Sequence, residues 1–333
     1  MALIKMLEAP TIAAIEALRE ARGEQIVRTP VLRCAAIEDQ IGAATRVYGK
    51  LEFLQRTGTF KARGSLAAIA GMPAAQRAAG VTAVSAGNHA IATAFAASEF
   101  GICAKIVMIS SASPVRIAAC RDYGAEVVLV DGVHEAFAVA ERIQKDEGRF
   151  FVHPFEGSAV ATGTGMVGLE ICEQLAEFDA VIVPVGGGGL LGGVANAIKQ
   201  LRPDCVIYGV EPAGADSMHR SFAAGTPQSI DKVRTIADSL GAPFAMPYSF
   251  ELCRKNVDEL VRVDDTALRK AMALLYRTMK IAVEPACAAS TAALLGPLRP
   301  ALLGKSVVLV FCGSNLDWAT FASQADFEES NAD

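Results

Sequence analysis

Short apolar stretches alternate with longer amphipathic stretches along almost the whole 333-residue chain. The short stretches are rich in β-branched and aliphatic residues, which predicts strands, whereas the amphipathic stretches have the spacing of helices. The predicted strands occupy residues 46–52, 81–85, 104–109, 126–130, 150–153, 180–185, 206–211, 259–263 and 306–311. The predicted helices occupy residues 11–22, 88–100, 113–123, 133–148, 159–176, 190–201 and 266–280.

This alternation predicts an α/β fold with two open, mostly parallel twisted sheets flanked by helices. Residues 82–154 contain four predicted strands and three predicted helices, which is enough for a compact unit. We therefore expect a small domain at residues 82–154 and a large, discontinuous domain at residues 1–81 and 155–333. Ligands of such sheets bind at the carboxyl ends of the strands.

Composition and net charge exclude some classes of binding partner and indicate the cellular compartment. Hydrophobic residues make up 52% of the chain and aromatic residues only 6%, which suits buried strands under Ala-rich helices. The net charge of -5, with no basic run, argues against nucleic acid and against an acidic membrane surface as partners. No stretch is apolar enough to span a membrane, and the N-terminal residues lack a secretory h-region. The eight cysteines are scattered without a C-x-x-C pair, so we expect a cytoplasmic protein without a zinc cluster.

A lysine that directly follows an aromatic residue is the first candidate for chemistry. It lies in the segment Thr57-Gly58-Thr59-Phe60-Lys61-Ala62-Arg63-Gly64. Lysine amines form Schiff bases with carbonyl compounds, so Lys61 is a candidate covalent anchor for an aldehyde cofactor. In isolation, the segment is equally compatible with the start of an ordinary helix.

Four consecutive glycines, Gly186 to Gly189, follow the predicted strand 180–185 and precede Leu190 at the start of a predicted helix. Glycines let backbone N–H groups converge, and the helix dipole favours an anion at this end. The run is not a Walker P-loop, because no Gly-Lys-Ser/Thr follows, and its spacing is not G-x-G-x-x-G. A monophosphate group is the predicted ligand, and a flexible turn is the alternative.

Three further positions carry polar groups at strand or helix ends. The segment Ser85-Ala86-Gly87-Asn88-His89 follows a predicted strand, and its free N–H groups could bind a carboxylate or simply cap the helix. Cys312 ends the last predicted strand and could meet a ring nitrogen or be a buried thiol. Glu284 lies in an apolar, Ala-rich stretch, where an acid is usually paired or catalytic.

Together these groups predict a ligand with an aldehyde, a phosphate and an aromatic ring with polar edges. Pyridoxal 5′-phosphate has all three parts, and it acts as an electron sink once it is bound to a lysine.

The chain resembles the fold-type II, tryptophan-synthase-β-like, pyridoxal-phosphate enzymes, and specifically their serine/threonine dehydratase and serine racemase branch. The resemblance runs from about Thr29 to Asp317 and rests on four strings in the family's order. These strings are Lys50-Leu51-Glu52 with Gln55 to Gly64, Ser85-Ala86-Gly87-Asn88-His89, the glycine run, and Cys312-Gly313-Ser314-Asn315. It implies a homodimer that binds the cofactor in a cleft between two domains and acts on a small amino acid.

The resemblance also implies residue roles at the matching positions. Lys61 would hold the cofactor covalently and later move the Cα proton, while Asn88 would hydrogen-bond the ring hydroxyl. The full set expected around the cofactor is Phe60, Lys61, Asn88, Gly186, Gly187, Gly188, Gly189, Leu190, Glu284 and Cys312. Phe60 and Glu284 would lie against the ring, Cys312 would face its nitrogen, and the glycines with the Leu190 N–H would cradle the phosphate. The set expected around the substrate is Ser85, Ala86, Asn88 and His89.

Two positions depart from the pattern of much of this branch. Cys312 stands where many members have serine, and either group is neutral, which leaves the pyridine nitrogen unprotonated and suits β-elimination. Ala86 stands where racemases of the branch have a serine that works on the opposite face of the substrate. Alanine cannot transfer a proton, so the resemblance argues against efficient racemisation, although Ser85 is adjacent.

Members with a divalent cation use a Glu at the end of the Gly-Val-Glu-Pro strand and an acid six residues later. Glu211 matches the first position, but the second is Ser217, and Asp216 comes one residue early. A Mg²⁺ or Ca²⁺ site is therefore not favoured.

The resemblance implies a serine/threonine dehydratase, an ammonia-lyase that converts L-threonine to 2-oxobutyrate and L-serine to pyruvate by β-elimination. Dehydration of 3-hydroxyaspartate and racemisation of serine are alternatives on the same scaffold, and a non-catalytic amino-acid sensor is a more remote one. A second substrate carboxylate would need a nearby cation, for which Arg63 and Arg234 are candidates. Residues 236–241 are expected on the substrate side.

Overall fold

The computed structural model describes residues 8–42 and 44–327. Within these residues, ten strands form one six-stranded and one four-stranded sheet, with helices packed on both. The predicted class, two open and mostly parallel sheets flanked by helices, is confirmed. The N-terminal segment used to judge the absence of a secretory leader lies mostly outside the described residues.

The larger sheet has the strand order β1-β2-β10-β7-β8-β9. Every neighbouring pair is parallel except β1 and β2, which are antiparallel. The strands are β1 (Val31–Arg33), β2 (Arg46–Leu51), β7 (Ala180–Pro184), β8 (Val206–Pro212), β9 (Glu259–Val263) and β10 (Ser306–Phe311). The sequence did not predict β1, which is three residues long and largely exposed at the edge of the sheet.

The smaller sheet has the order β5-β4-β3-β6 and is parallel throughout. Its strands are β3 (Val81–Val84), β4 (Ala104–Ile109), β5 (Glu126–Val130) and β6 (Phe150–Phe151). Apart from Val81, they fall within residues 82–154, for which a separate small domain is predicted. The strand predicted at residues 150–153 is shorter than expected, because the chain turns away from the sheet at His153, whose ring accepts two backbone N–H groups.

Fourteen α-helices lie within the described residues. They are α1 (Ile12–Arg22), α2 (Ala35–Ile41), α3 (Lys61–Ala70), α4 (Asn88–Glu99), α5 (Pro114–Asp122), α6 (Val133–Glu147), α7 (Ser158–Gln174), α8 (Gly189–Leu201), α9 (Ser217–Ala224), α10 (Pro247–Asn256), α11 (Asp265–Met279), α12 (Pro285–Leu295), α13 (Arg299–Leu302) and α14 (Trp318–Gln324). Seven of these match predicted helices to within two residues at either end. None of the helices in the described part of the chain is long and apolar enough to cross a membrane.

A fully buried ionic network fixes the start of α3. Arg63 pairs with Glu52 at 2.8 Å and with Glu170 at 2.7 Å, and Lys50 also pairs with Glu170. The guanidinium thus has two carboxylate partners, which compensates for its loss of hydration. Arg63 is therefore committed to the interior and is not the substrate-side cation that the sequence suggested, while its position orients Lys61 two residues earlier.

Candidate active site

A cavity of about 320 Å³ opens between the two sheets. Strands β3, β4, β6 and β7 all run toward it, so their carboxyl ends and the following loops form its walls, as is usual for parallel sheets. Its lining includes Lys61, Ser85, Ala86, Gly87, Asn88, His89, Arg116, Phe137, His153, Phe155, Gly187, Asp238, Ser239 and Phe244. An adjoining enclosed space is lined by Phe60, Lys61, Asn88, Gly186, Gly187, Gly188, Gly189, Leu190, Glu284 and Cys312. The structure therefore gathers the predicted residues in one place.

Lys61 is the first residue of α3, and its Nζ donates a 2.6 Å hydrogen bond to the carbonyl oxygen of Pro154. The ammonium also lies 5.1 Å from the centre of the Phe60 ring. Burial lowers the pKa of Lys61 to about 8, against the opposing effect of Cys312 and Glu284. A large fraction of this amine is consequently neutral and nucleophilic at mildly basic pH.

The glycine run forms a tight turn between β7 and α8. Gly188 has a φ of 89°, in the left-handed region that favours glycine. A Cβ on Gly187 would lie 2.3 Å from the Phe155 ring, so the backbone of the turn and this ring are in direct contact. The N–H groups of Gly189 and Leu190 lie in the first turn of α8, where the helix leaves them without acceptors. The turn can therefore hold a phosphate group.

Asn88 and Glu284 form the polar centre of the enclosed space. The Asn88 amide donates to both Glu284 carboxylate oxygens and lies 3.2 Å from the Ser239 hydroxyl. Its own carbonyl oxygen accepts a 2.8 Å hydrogen bond from Asn315. Burial raises the pKa of Glu284 to about 7, although the Asn88 hydrogen bonds oppose this. The side chains of Glu284, Ser239 and Asn315 together hold the Asn88 amide in a fixed orientation.

Cys312 follows β10 and is fully buried. A hydrogen bond with Cys287, together with burial, holds the pKa of Cys312 well above its ordinary value, so the thiol is neutral. Its backbone carbonyl accepts hydrogen bonds from the Phe60 N–H at 3.1 Å and from the Thr59 hydroxyl at 3.2 Å. The end of the last strand is in this way joined directly to the lysine segment.

The Ser85 to His89 segment contributes mainly backbone to the cavity. The Ser85 hydroxyl accepts a 3.1 Å hydrogen bond from the Gly87 N–H. The His89 Nε2 lies 2.8 Å from the Val152 carbonyl oxygen and therefore carries the proton of a neutral ring. Burial lowers the pKa of His89 to about 3, with a further contribution from the nearby Lys61. The imidazole of His89 thus has a structural role, as a donor to the Val152 backbone.

Several lining residues were not anticipated. Arg116, in α5, donates a 2.7 Å hydrogen bond to Asp238 and also bonds the Asn315 carbonyl, which joins the two sides of the cavity. His153 lies two residues after the end of β6, and the strand-end rule that singled out the other motifs could have found it. Arg234, a suggested substrate-side cation, lies instead in a separate surface cleft beside Gly214 and does not line the cavity.

Glu211 and Asp216, the acids considered for a cation, both have protein partners. The Glu211 carboxylate accepts the N–H groups of Met218 and His219 at the start of α9, at 2.9 and 2.6 Å. Asp216 pairs with Arg220 and Arg262. Burial raises the pKa of Glu211 to about 8. In the described residues, no group of three or more His, Cys, Asp or Glu side chains could hold a metal ion.

These groups fit pyridoxal 5′-phosphate part by part. The buried amine of Lys61 can bind an aldehyde, and the glycine turn at the start of α8 can bind a phosphate. Between them lie an amide and a neutral thiol, Asn88 and Cys312, which can meet the polar edges of a ring.

Comparison with known proteins gives the same cofactor. A model of the family described as pyridoxal-phosphate dependent enzyme matches residues 23–313. A phenylserine dehydratase from Ralstonia pickettii is 54% identical over 94% of this chain and 95% of its own length. An L-threonine ammonia-lyase from Thermotoga maritima is 38% identical over 91% of this chain and 76% of its own length.

Among solved structures, maize serine racemase superposes with a TM-score of 0.90 and 34% identity, covering 95% of this chain and 97% of that one. The expected enzyme class, a pyridoxal-phosphate-dependent ammonia-lyase, is confirmed. The chain belongs to the family of pyridoxal-phosphate-dependent enzymes and uses pyridoxal 5′-phosphate as its cofactor.

Proposed function

We propose that this protein is an ammonia-lyase that dehydrates β-hydroxy-α-amino acids with an aromatic side chain, of the 3-phenylserine type, to a 2-oxo acid and ammonia. The observation that carries the proposal is the apolar wall of the cavity beside Lys61. This wall is formed by Val107, Ile109, Phe137, Phe155 and Phe244. The 54% identity with a phenylserine dehydratase supports the same substrate class.

The size and chemistry of this wall favour a phenyl group over smaller or charged substituents. Burying a phenylalanine-sized side chain contributes about 1.5–3 kcal/mol, which the methyl group of threonine cannot supply in full. The cavity's cationic side chains, within the described residues, are Lys61 and Arg116. Arg116 is committed to Asp238, whose carboxylate would repel a second acidic group. These features weigh against 3-hydroxyaspartate.

Different residues of the cavity would bind the substrate and transfer its proton. Bound pyridoxal 5′-phosphate makes the substrate Cα–H acidic by withdrawing electrons. The N–H groups of Ser85 and Gly87 donate within the protein, so the N–H groups of Ala86, Asn88 and His89, at the start of α4, would bind the substrate carboxylate. Lys61, as a neutral amine, takes the Cα proton, which is general-base help worth about 10²–10⁴-fold. The β-hydroxyl leaves as water. The released enamine tautomerises to an imine, whose hydrolysis takes up one water, so the net products are the 2-oxo acid and ammonia.

On the opposite face of the substrate, the residue in the position of a racemase's proton donor is Ala86, which has no proton to transfer. Ala86 is an apolar side chain on the cavity wall, and the adjacent Ser85 hydroxyl accepts the Gly87 N–H. Proton transfer on one face alone supports elimination and works against racemisation. L-Threonine and L-serine are the second candidate substrates, because they would fit the same cavity and an L-threonine ammonia-lyase is 38% identical.

An ammonia-release screen tests the reaction class. The enzyme is incubated with L-threo-3-phenylserine, L-threonine, L-serine and L-threo-3-hydroxyaspartate, and both ammonia and the 2-oxo acid are quantified. We expect stoichiometric ammonia and phenylpyruvate from phenylserine, and neither product with Lys61→Ala. Spectral changes on substrate addition without any product would instead favour a sensor. Inversion of L-serine to D-serine as the main activity would favour a racemase.

A further inference from the structure

His153 has a side chain that is fixed by one ring nitrogen and has the other nitrogen free for a ligand. Its Nδ1 accepts backbone N–H groups from Phe155 at 3.2 Å and from Glu156 at 2.9 Å. Two donors at Nδ1 require that nitrogen to be the unprotonated one, so the proton of the neutral ring is on Nε2. No group in the described part of the chain forms a hydrogen bond with Nε2, and the residue lines the cavity.

The surroundings keep this ring neutral and rigid. Burial, together with the nearby positive charge of Lys61, lowers the pKa of His153 to about 4. The ring packs edge-on against Phe155, with 4.6 Å between the ring centres. Glu156 is anchored in turn, because its carboxylate accepts N–H groups of Tyr248 and Ser249 at the start of α10. The Nε2–H therefore has a fixed position and direction.

His153 lies on the same wall of the cavity as Lys61, the residue that would react with the substrate. Pro154, the next residue, holds the Lys61 amine, so the imidazole and the amine belong to the same wall. The other polar side chains around the cavity have partners: His89 bonds Val152, and Arg116 bonds Asp238. His153 and the aromatic wall line the same cavity as Lys61 and residues 85–89, so a substrate with its carboxylate at those residues and its Cα at Lys61 would have its Cβ substituents in the part of the cavity that remains.

We propose that His153 is a catalytic residue whose Nε2–H donates a hydrogen bond to the β-hydroxyl oxygen of the substrate. This inference rests on the proposed dehydration. The Cβ–O bond breaks with its electron pair going to oxygen, where a fixed donor stabilises the developing charge. The proton that Lys61 takes from Cα leaves on that oxygen as water, so His153 keeps its own proton and no other reactant is needed.

Two substitutions separate this role from the structural role of Nδ1. His153→Asn places a side-chain oxygen where Nδ1 accepts the two backbone N–H groups, but it has no donor at the Nε2 position. His153→Gln places an amide donor near the Nε2 position, but it loses the Nδ1 acceptor. We expect His153→Asn to lose about 10²-fold in kcat while it keeps its thermal stability. His153→Gln should keep kcat within about tenfold and unfold at a lower temperature.

A binding measurement without turnover completes the test. In a Lys61→Ala background loaded with pyridoxal 5′-phosphate, the affinities for L-threo-3-phenylserine and L-phenylalanine, which lacks the β-hydroxyl, are compared by cofactor absorbance. We expect about a tenfold preference for phenylserine that disappears when His153→Asn is added. An unchanged preference, or equal loss of kcat in both His153 variants, would overturn the proposal. Absence of ammonia release from every β-hydroxy amino acid by the wild-type enzyme would refute the dehydratase function instead, while the binding ratio still decides the role of His153.

Discussion

The side-chain amide of Asn88 donates hydrogen bonds to both carboxylate oxygens of Glu284, at 2.9 and 3.1 Å. Asn88 begins α4, which follows strand β3 of the smaller sheet, whereas Glu284 immediately precedes α12, which packs on the larger sheet. The pair therefore connects the two halves of the molecule at the point where the cofactor is expected to bind. Its energetic role can be tested at either residue.

Asn88→Ala removes both hydrogen bonds and leaves the buried Glu284 carboxyl without these donors. We expect the affinity for pyridoxal 5′-phosphate to fall by about tenfold or more, because the amide expected to hydrogen-bond the cofactor's ring hydroxyl is lost, and a hydrogen bond with one charged partner contributes about 1.5–3 kcal/mol. Titration of the cofactor by absorbance measures this. Asn196→Ala is the control, because Asn196 is a buried asparagine bonded to Pro10, outside the cavity. Equal effects of the two substitutions on cofactor affinity would contradict the role of Asn88.

Gly187→Ala tests the phosphate cradle. Its new Cβ would lie 2.3 Å from the Phe155 ring, so either the ring or the turn must move. We expect at least about a tenfold loss of cofactor affinity, because the N–H groups must converge on the phosphate. Gly132→Ala is the matched control, since a Cβ there meets nothing within 4 Å. If Gly187→Ala bound the cofactor as tightly as the control, the turn would not be the phosphate site.

The raised pKa of Glu284 predicts a pH-dependent stability of the cofactor-free protein. This pKa rises from 4.5 to about 7 on folding, mainly through burial. Between these values the folded state holds a proton that the unfolded chain has lost, so stability from this group decreases as pH rises. Glu284→Gln should remove this contribution. The melting temperature of the variant relative to that of the wild type should therefore increase from about pH 5 to about pH 8. Parallel melting curves across that range would count against a buried, titrating Glu284; the exposed Glu141→Gln is the control.

The buried ionic network predicts a large difference between two glutamates of α7. Glu170→Gln leaves Lys50 and Arg63 with one carboxylate between them, and removing one partner of a buried pair costs about 3–5 kcal/mol. Glu173→Gln breaks only partly exposed pairs with Arg19 and Arg28, at a cost of less than about 1 kcal/mol. Denaturant unfolding of the two variants measures the contrast, and similar free energies of unfolding would refute it.

The elements that the sequence predicted best are those with a pattern of their own. The strand and helix alternation predicted both mostly parallel sheets, and the position of each motif after a strand predicted that the motifs meet. Helix α12 was missed because nearly all of its residues are buried, so it has no polar face and no amphipathic period. The edge strand β1 was missed because three residues are too few for a pattern.

Tertiary contacts explain the remaining differences. Arg63 looked available because the sequence does not show that Glu52 and Glu170 enclose it. His153 looked like an ordinary strand residue, because its relation to Lys61 depends on how the chain turns at Pro154. The proposed size of the substrate likewise depends on residues such as Phe137 and Phe244, which are far apart in sequence and line the same cavity.

The most direct test of the proposed function is a comparison of kcat/KM for L-threo-3-phenylserine and L-threonine with one enzyme preparation. The apolar wall of Val107, Ile109, Phe137, Phe155 and Phe244 predicts a preference for phenylserine of at least about tenfold, since the buried phenyl group contributes about 1.5–3 kcal/mol. A kcat/KM for threonine equal to or greater than that for phenylserine would contradict the aromatic substrate.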